Sequence, residues 1–235
     1  MAKSAPAMPK SAATVWDSDA ALTTARMLLE IQAINFRPEE PYTFTSGWKS
    51  PVYIDCRRII YFPRVRSKIC ELAVEKIHRH VGYETIEAVA GGETAGIPFA
   101  AWIAERLSLP MLYVRKQPKG FGRHAQIEGE MAEGARVLLV EDLASEGTSK
   151  LNFIHAIKKA GGKIGHAFVI FHYGIFPQSV TSLEAEGVKL HALATWWDVL
   201  AVAHGLGYFS PEQYAAVKSF LEHPDSWQPA VSAAR

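Results

Sequence analysis

The chain has 235 residues, 49% of them hydrophobic and 21% charged, with a formal net charge of +1. That length and apolar content suffice for one sizeable core and favour one large domain over two. The near-neutral balance gives no global electrostatic case for nucleic acid or a membrane surface, so any anion binding has to come from a local cluster.

The opening MAKSAPAMPKSAAT carries lysines but no apolar signal core, and residues 1–18 are read as a disordered leader. Residues 19–34, DAALTTARMLLEIQAI, repeat apolar positions at a 3.6 period behind Asp17, Ser18 or Asp19 as caps, which predicts a helix. PYTFTSGWKSPVYIDCRR has turn signals at Ser46-Gly47 and Ser50-Pro51 and a strand at 52–54. A helix over 63–81, a short strand at 86–90 running into Gly91-Gly92, a helix over 96–106 and a strand at 111–114 follow. Residues 115–130 are basic and glycine-rich without hydrophobic period, so they read as a loop. Next come a buried strand at 137–140, a helix over 148–160, a strand at 164–171, a helix over 178–186 and a strand at 190–195. Helices over about 196–204 and 211–222 finish the fold, with residues 226–235 as a tail. No apolar run approaches the roughly 20 residues of a membrane span. Two cysteines, Cys56 and Cys70, without a paired C-x-x-C read as reduced thiols of a cytoplasmic protein.

Strands that are continuous apolar runs, alternating with helices, indicate an α/β fold with a mainly parallel sheet covered on both faces. Such sheets bind ligands at the carboxyl ends of their strands. RVLLVEDLASEGTSK, residues 136–150, delivers Glu141 and Asp142 to that edge, and the turn Ser145-Glu146-Gly147-Thr148-Ser149 then opens a helix. Backbone N–H groups of such a turn cradle phosphate, and two carboxylates above them suit the vicinal hydroxyls of a ribose 5-phosphate. The same residues equally allow a plain strand end with Ser145 or Thr148 as N-cap. Arg115, Lys116, Lys119 and Arg123 are cations with no acid among residues 115–125, which is either an anion-binding lid or a solvated basic loop. Gly-Gly-Glu-Thr-Ala-Gly at 91–96 is a ligand loop or a tight turn.

The 136–150 stretch resembles the phosphoribosyl pyrophosphate signature of the type I phosphoribosyltransferases. With it, YTFTSGWKSPVYIDCRR, VAGGETAGIPFA and YVRKQPKGFGRHAQIEG stand in the order expected of the orotate phosphoribosyltransferases, over residues 42–150. FHYGIFPQ through LATWWDVL is similar to a longer bacterial form of that family. The resemblance implies the type I phosphoribosyltransferase fold in a single domain over 19–225, with a small hood mainly from residues 19–60. It implies transfer of phosphoribosyl from phosphoribosyl pyrophosphate to orotate in de novo pyrimidine synthesis, Mg²⁺ carried on the donor, a homodimer with shared active sites, and no nucleic-acid or membrane partner. Glu141 and Asp142 would hold the ribose hydroxyls, and Leu143, Ala144, Ser145, Glu146, Gly147, Thr148 and Ser149 the phosphate end of the donor. Glu93, Thr94 and Ala95 would meet the pyrophosphate. Ser46, Gly47, Lys49 and Ser145 would lie against orotate. Catalysis would be positioning and charge stabilisation by Lys119, Arg115, Lys116 and Asp142. Arg115 and Lys119 would act across the dimer and Lys116 within its own subunit, while Gly120 and Gly122 let the loop open and close.

Several residues depart from the family pattern. Phe121 stands where many members have histidine, Thr45 and Ala95 where some have lysine, and Glu146 where a small residue is usual. Glu146 is compatible with a bound phosphate when its carboxylate projects to solvent. No arginine lies between Arg136 and Arg235, so the orotate carboxylate needs another anchor, such as backbone amides near Ser46 and Gly47, or His172. These departures motivate two alternatives: a catalytically silent regulator that binds phosphoribosyl pyrophosphate, and a transferase for another base. The Lys119 loop argues against the first, and TSGWKSPVYID and QIEG against the second. Trp196 and Trp197 read as packing at a domain edge or dimer contact, and Cys56 as a buried inert thiol.

Overall fold

The computed structural model describes residues 15–43, 48–120, 126–145 and 148–228, without the side chains of Thr148 and Ser149. The expectations placed on Thr45, Ser46, Gly47, Phe121, Gly122, Arg123, Glu146 and Gly147 lie outside the described residues.

Helix α1 (Val15–Glu30) is followed by two small antiparallel ladders. One pairs β1 (Ile34–Phe36) with β4 (Val52–Ile54), the other β2 (Tyr42–Thr43) with β3 (Lys49–Ser50). A 3-10 turn (Cys56–Tyr61) and α2 (Pro63–His80) lead to β5 (Ala88–Gly92), α3 (Gly96–Leu107), β6 (Met111–Val114) and β7 (Ile127–Glu128). Then come β8 (Arg136–Ala144), α4 (Thr148–Lys159), β9 (Lys163–His172), α5 (Gln178–Ala185), β10 (Lys189–Thr195), α6 (Trp196–Gly205) and α7 (Pro211–Glu222). Six strands form one sheet in the order β10-β9-β8-β5-β6-β7, parallel throughout except for β7 at its edge. This is the mainly parallel α/β sheet that the apolar strand runs imply.

The two-residue alternation of β8 divides the core. Leu138 and Val140 face one buried cluster with Phe99 and Ile103 of α3, Leu28 of α1 and Trp196. Val137 and Leu139 face the other, with Phe153, Ile154 and Ile157 of α4 and Leu183 of α5. Each such side chain contributes about 1.5–3 kcal/mol by leaving water. Trp196 is fully buried, its ring edge-on to Phe171 and Tyr173, so it belongs to the core and not to a domain edge. Trp197 is partly exposed beside it.

Four boundaries differ from the sequence reading. Helix α1 starts at Val15, because Asp17 is buried and held by Lys76 and His80 of α2 at 3.1 and 2.8 Å. It stops at Glu30, because residues 34–36 are taken into a ladder with β4. Within the basic loop, Ile127 and Glu128 pair antiparallel with Val114 and Tyr113 of β6. Strand β8 runs past Val140 through both acids, because its pairing with β9 continues to Ala144. At the other end of the chain Trp227, counted with the tail, packs edge-on against Phe220 and donates to Ala216 O at 3.2 Å.

His166 of β9 and His191 of β10 lie 3.0 Å apart, Nδ1 to Nε2. Burial, aided by Lys189, lowers the pKa of His166. Burial followed by His166, Lys189, His80 and Lys76 pushes His191 down to about 3. Both rings are therefore neutral in the fold and bind protons near pH 6.5 once unfolded. The stability they lend is complete above that pH and is lost as pH falls below it, for His191 down through about 3. Urea unfolding at pH 7 and pH 5 is expected to show a loss of about 1–2 kcal/mol in the wild type. His191→Gln should lose clearly less over the same range; an equal loss would remove these histidines as the cause.

Candidate active site

At the carboxyl edge of the sheet lies a cavity of about 880 Å³. Its floor is Glu141, Asp142 and Leu143 at the end of β8, followed by Ser145. Glu93, Thr94 and Ala95 enter from the loop after β5, and Lys116 from the segment after β6. The facing wall is Tyr53 of β4 with Asp55, Cys56 and Arg57, and Tyr173 closes the side beyond β9. Four strand ends and the start of the 3-10 turn thus converge on one space, as the edge of a parallel sheet requires.

Because β8 remains a strand through its acids, Glu141 and Asp142 point to opposite faces. Asp142 lies toward Cys56 and Arg57, which interact with it electrostatically. Glu141 turns toward α4 and is 8% exposed. A Cβ on Gly92 would strike its carboxylate and come within 2.6 Å of Phe153. A Cβ on Gly96 would meet Glu141 again and approach Val140 O at 2.5 Å. Gly92 and Gly96 are therefore demanded first by close packing around Glu141, and Gly91 by its contact with Ile97 and Ala100 of α3. Glu141 Oε1 has no hydrogen-bond partner among the described residues.

Lys150 answers this buried charge. It is 2% exposed, with Nζ at 4.0 Å from Glu141 Oε2 and 2.5 Å from Leu143 O, to which it donates. Burial raises the Glu141 carboxyl to about 7, against the opposing pull of Lys150; Asp142 pushes it further up, and Lys116 and the Gly96 amide pull it down. Asp142 is raised by burial and lowered mainly by Lys150. Burial lowers the Lys150 ammonium itself, while the two acids hold it up.

The remaining sequence candidates divide into two groups. Lys116 is fixed by its backbone: its N–H donates to Glu93 Oε2 at 2.7 Å and its carbonyl accepts from Asn152 Nδ2 at 2.9 Å. Arg115 is tied outward along the sheet edge, Nη1 to Glu128 Oε1 at 3.2 Å, with its backbone N–H on Gln126 O. Lys119 and Lys49 are exposed, Lys49 in β3, and neither lines this cavity. Ala144 is buried in β8, paired with His172.

His172, weighed as an orotate anchor, is buried with Nε2 on Ser179 Oγ at 2.7 Å; burial, aided by Lys150, pushes it down to about 4. It does not line the cavity. Cys56 is 1% exposed, and burial drives its thiol far above its ordinary range, so it is inert. Sequence reasoning passed over Lys150, Asn152, Arg57, Tyr53 and Tyr173. Only the pair Arg57-Arg58 directly after a strand was a visible signal; a lysine in the first turn of a helix looks solvated until the fold buries it.

A model of the phosphoribosyl transferase domain matches residues 64–175. Orotate phosphoribosyltransferase of Dinoroseobacter shibae is 57% identical over 213 residues, covering 91% of this chain and 94% of that protein. The Cereibacter sphaeroides protein of the same name is 57% identical over 207 residues, 88% of this chain and 89% of its own. Among solved structures, orotate phosphoribosyltransferase from Aeropyrum pernix superposes with a TM-score of 0.67 at 32% identity, covering 79% of this chain and 99% of its own. Leishmania donovani UMP synthase superposes at 0.72 with 26% identity, covering 87% of this chain and 42% of that one.

Two outcomes follow from the packing around Glu141. Gly96→Ala forces the Val140 carbonyl or Glu141 to move and should cost about 1–3 kcal/mol in urea unfolding, where a neutral result would contradict the tight fit. Lys150→Met removes the strongest influence lowering the Glu141 carboxyl, so its midpoint, followed by carbon-13 NMR, should rise above about 7; an unmoved midpoint would show that the ammonium does not act on it.

Proposed function

The chain belongs to the orotate phosphoribosyltransferases, and on that premise we propose how its residues divide the reaction. The enzyme transfers the 5-phosphoribosyl group from phosphoribosyl pyrophosphate to orotate, giving orotidine 5′-monophosphate and pyrophosphate, a step of pyrimidine biosynthesis. The observation that carries the division is the convergence of Glu141, Asp142, Ser145, Lys116 and the Glu93–Ala95 loop on one cavity.

Asp142 accepts hydrogen bonds from the ribose hydroxyls, with Glu141 as the buried second acceptor whose charge Lys150 balances. Ser145, which lines the cavity, and the N-terminus of α4 take the 5-phosphate. The loop from Glu93 to Ala95 and Lys116 take the pyrophosphate. Glu93 and Asn152 hold the Lys116 backbone so that its ammonium serves its own cavity. The bond from the anomeric carbon to pyrophosphate breaks as N1 of orotate approaches. Negative charge then collects on the leaving group and positive charge on the ribose. Cations near the leaving oxygens stabilise this state more than the ground state. The cavity's oxygen donors Asp142 and Ser145 would suit the hard Mg²⁺ carried on the donor, and that cation would supply further neutralisation of the pyrophosphate.

Lys119 is exposed outside its own cavity, and Arg115, half-buried against Glu128, does not line it either. Both cations therefore serve the cavity of a second copy, and the enzyme works as a homodimer in the cytoplasm. The two small ladders, β1–β4 and β2–β3, form the hood over the orotate, with Lys49 on β3.

Loss of orotate absorbance with phosphoribosyl pyrophosphate and Mg²⁺ should be rapid for the wild type and at least about 100-fold slower for Lys119→Ala. Mixing Lys119→Ala with Asp142→Asn chains, each inactive alone, should restore about a quarter of wild-type activity, because half of the dimers carry one intact site. No recovery on mixing would place Lys119 in its own subunit.

A further inference from the structure

We propose that Arg57, presented by Asp55 and assisted by the hydroxyl of Tyr173, is the residue that binds the orotate carboxylate. The inference rests on the reading of the cavity given above. Both substrates are anions, one through pyrophosphate and one through a carboxylate. Among the described residues two cations line the cavity, Lys116 and Arg57. Lys116 is clamped beside Glu93, at the pyrophosphate end. Arg57 belongs to the facing wall, on the 3-10 turn next to β4.

Its geometry suits a planar carboxylate. The Asp55 side chain accepts from both Arg57 N, at 3.1 Å, and Arg57 Nε, at 2.6 Å. That pair fixes the guanidinium plane while leaving both Nη groups without a hydrogen bond among the described residues. A guanidinium with its Nη edge free is the fork that takes a carboxylate through two parallel bonds. Tyr173 lines the same cavity close to Cys56 and Tyr53, its ring packed edge-on to Trp196 and Phe171, and its hydroxyl makes no hydrogen bond among the described residues. Its backbone N–H donates to Ala144 O, which ties it to the end of β8 beside the acids. An aromatic donor on a rigid backbone and an oriented guanidinium thus face one space. Tyr173 follows directly on β9, in the region beyond the signature helix where no arginine occurs.

The test separates the two ends of the site. Arg57→Gln should raise the KM for orotate by about 10- to 100-fold and leave the KM for phosphoribosyl pyrophosphate nearly unchanged. Weak inhibition by uracil, which lacks the carboxylate, should be unaffected. Tyr173→Phe should give a smaller rise in the same constant. Asp55→Asn should also weaken orotate, since the guanidinium loses its orienting partner. Orotate binding by calorimetry in the presence of pyrophosphate checks the same order without turnover. A rise in the donor KM instead, or equal loss of orotate and uracil binding, would overturn the assignment. A wild type that binds orotate yet turns nothing over would count against the reaction, not against Arg57.

Discussion

A carboxylate held out of water at the end of the central strand constrains everything around it. Glu141 can occupy that position because Gly92 and Gly96 leave room for it and because the Lys150 ammonium lies 4.0 Å away, behind the sheet. Without Lys150 the Glu141 carboxyl, already raised to about 7 by burial, would be protonated at neutral pH and lose its value as an acceptor. The burial of Lys150 is in turn tolerated because it donates to Leu143 O on the same strand. Strand, glycine loop and helix α4 are thereby locked to one another at the carboxyl edge of the sheet, beside the cavity.

This arrangement explains why the two acids differ. Strand alternation carries Glu141 into the sheet and Asp142 toward the facing wall. One is an internal, charge-balanced group; the other fronts the cavity opposite Arg57 and Cys56. The cation supply follows the same economy. Within one chain, Lys116 and Arg57 line the cavity, while exposed Lys119 and half-buried Arg115, paired with Glu128, lie outside it.

Much of this was legible in the residues. The apolar runs 137–140 and 164–171 could only be central strands of a sheet buried on both faces, and Glu141 and Asp142 then had to reach its carboxyl edge. Backbone pairing was harder to read. Nothing local in VLLVEDLA says that the ladder with β9 outlasts the acids, or that Ile127-Glu128 folds back on β6. The amphipathic pattern of residues 19–34 overran into a segment that β4 claims, since a three-residue strand has too short a period to compete with a helical one. Lys150 and Arg57 were missed because their importance comes from what the fold places beside them. Each looks like an ordinary charged residue near the start of a helix or turn.

The account stands or falls on the two acids meeting the ribose of the donor. Calorimetric titration of phosphoribosyl pyrophosphate with Mg²⁺ into the wild type and into Asp142→Asn tests this most directly. One donor should bind per chain, and the substitution, by removing charge-assisted acceptance from the hydroxyls, should weaken it by about 10- to 100-fold. Equal affinity in the two proteins would mean that the donor does not rest on the end of β8.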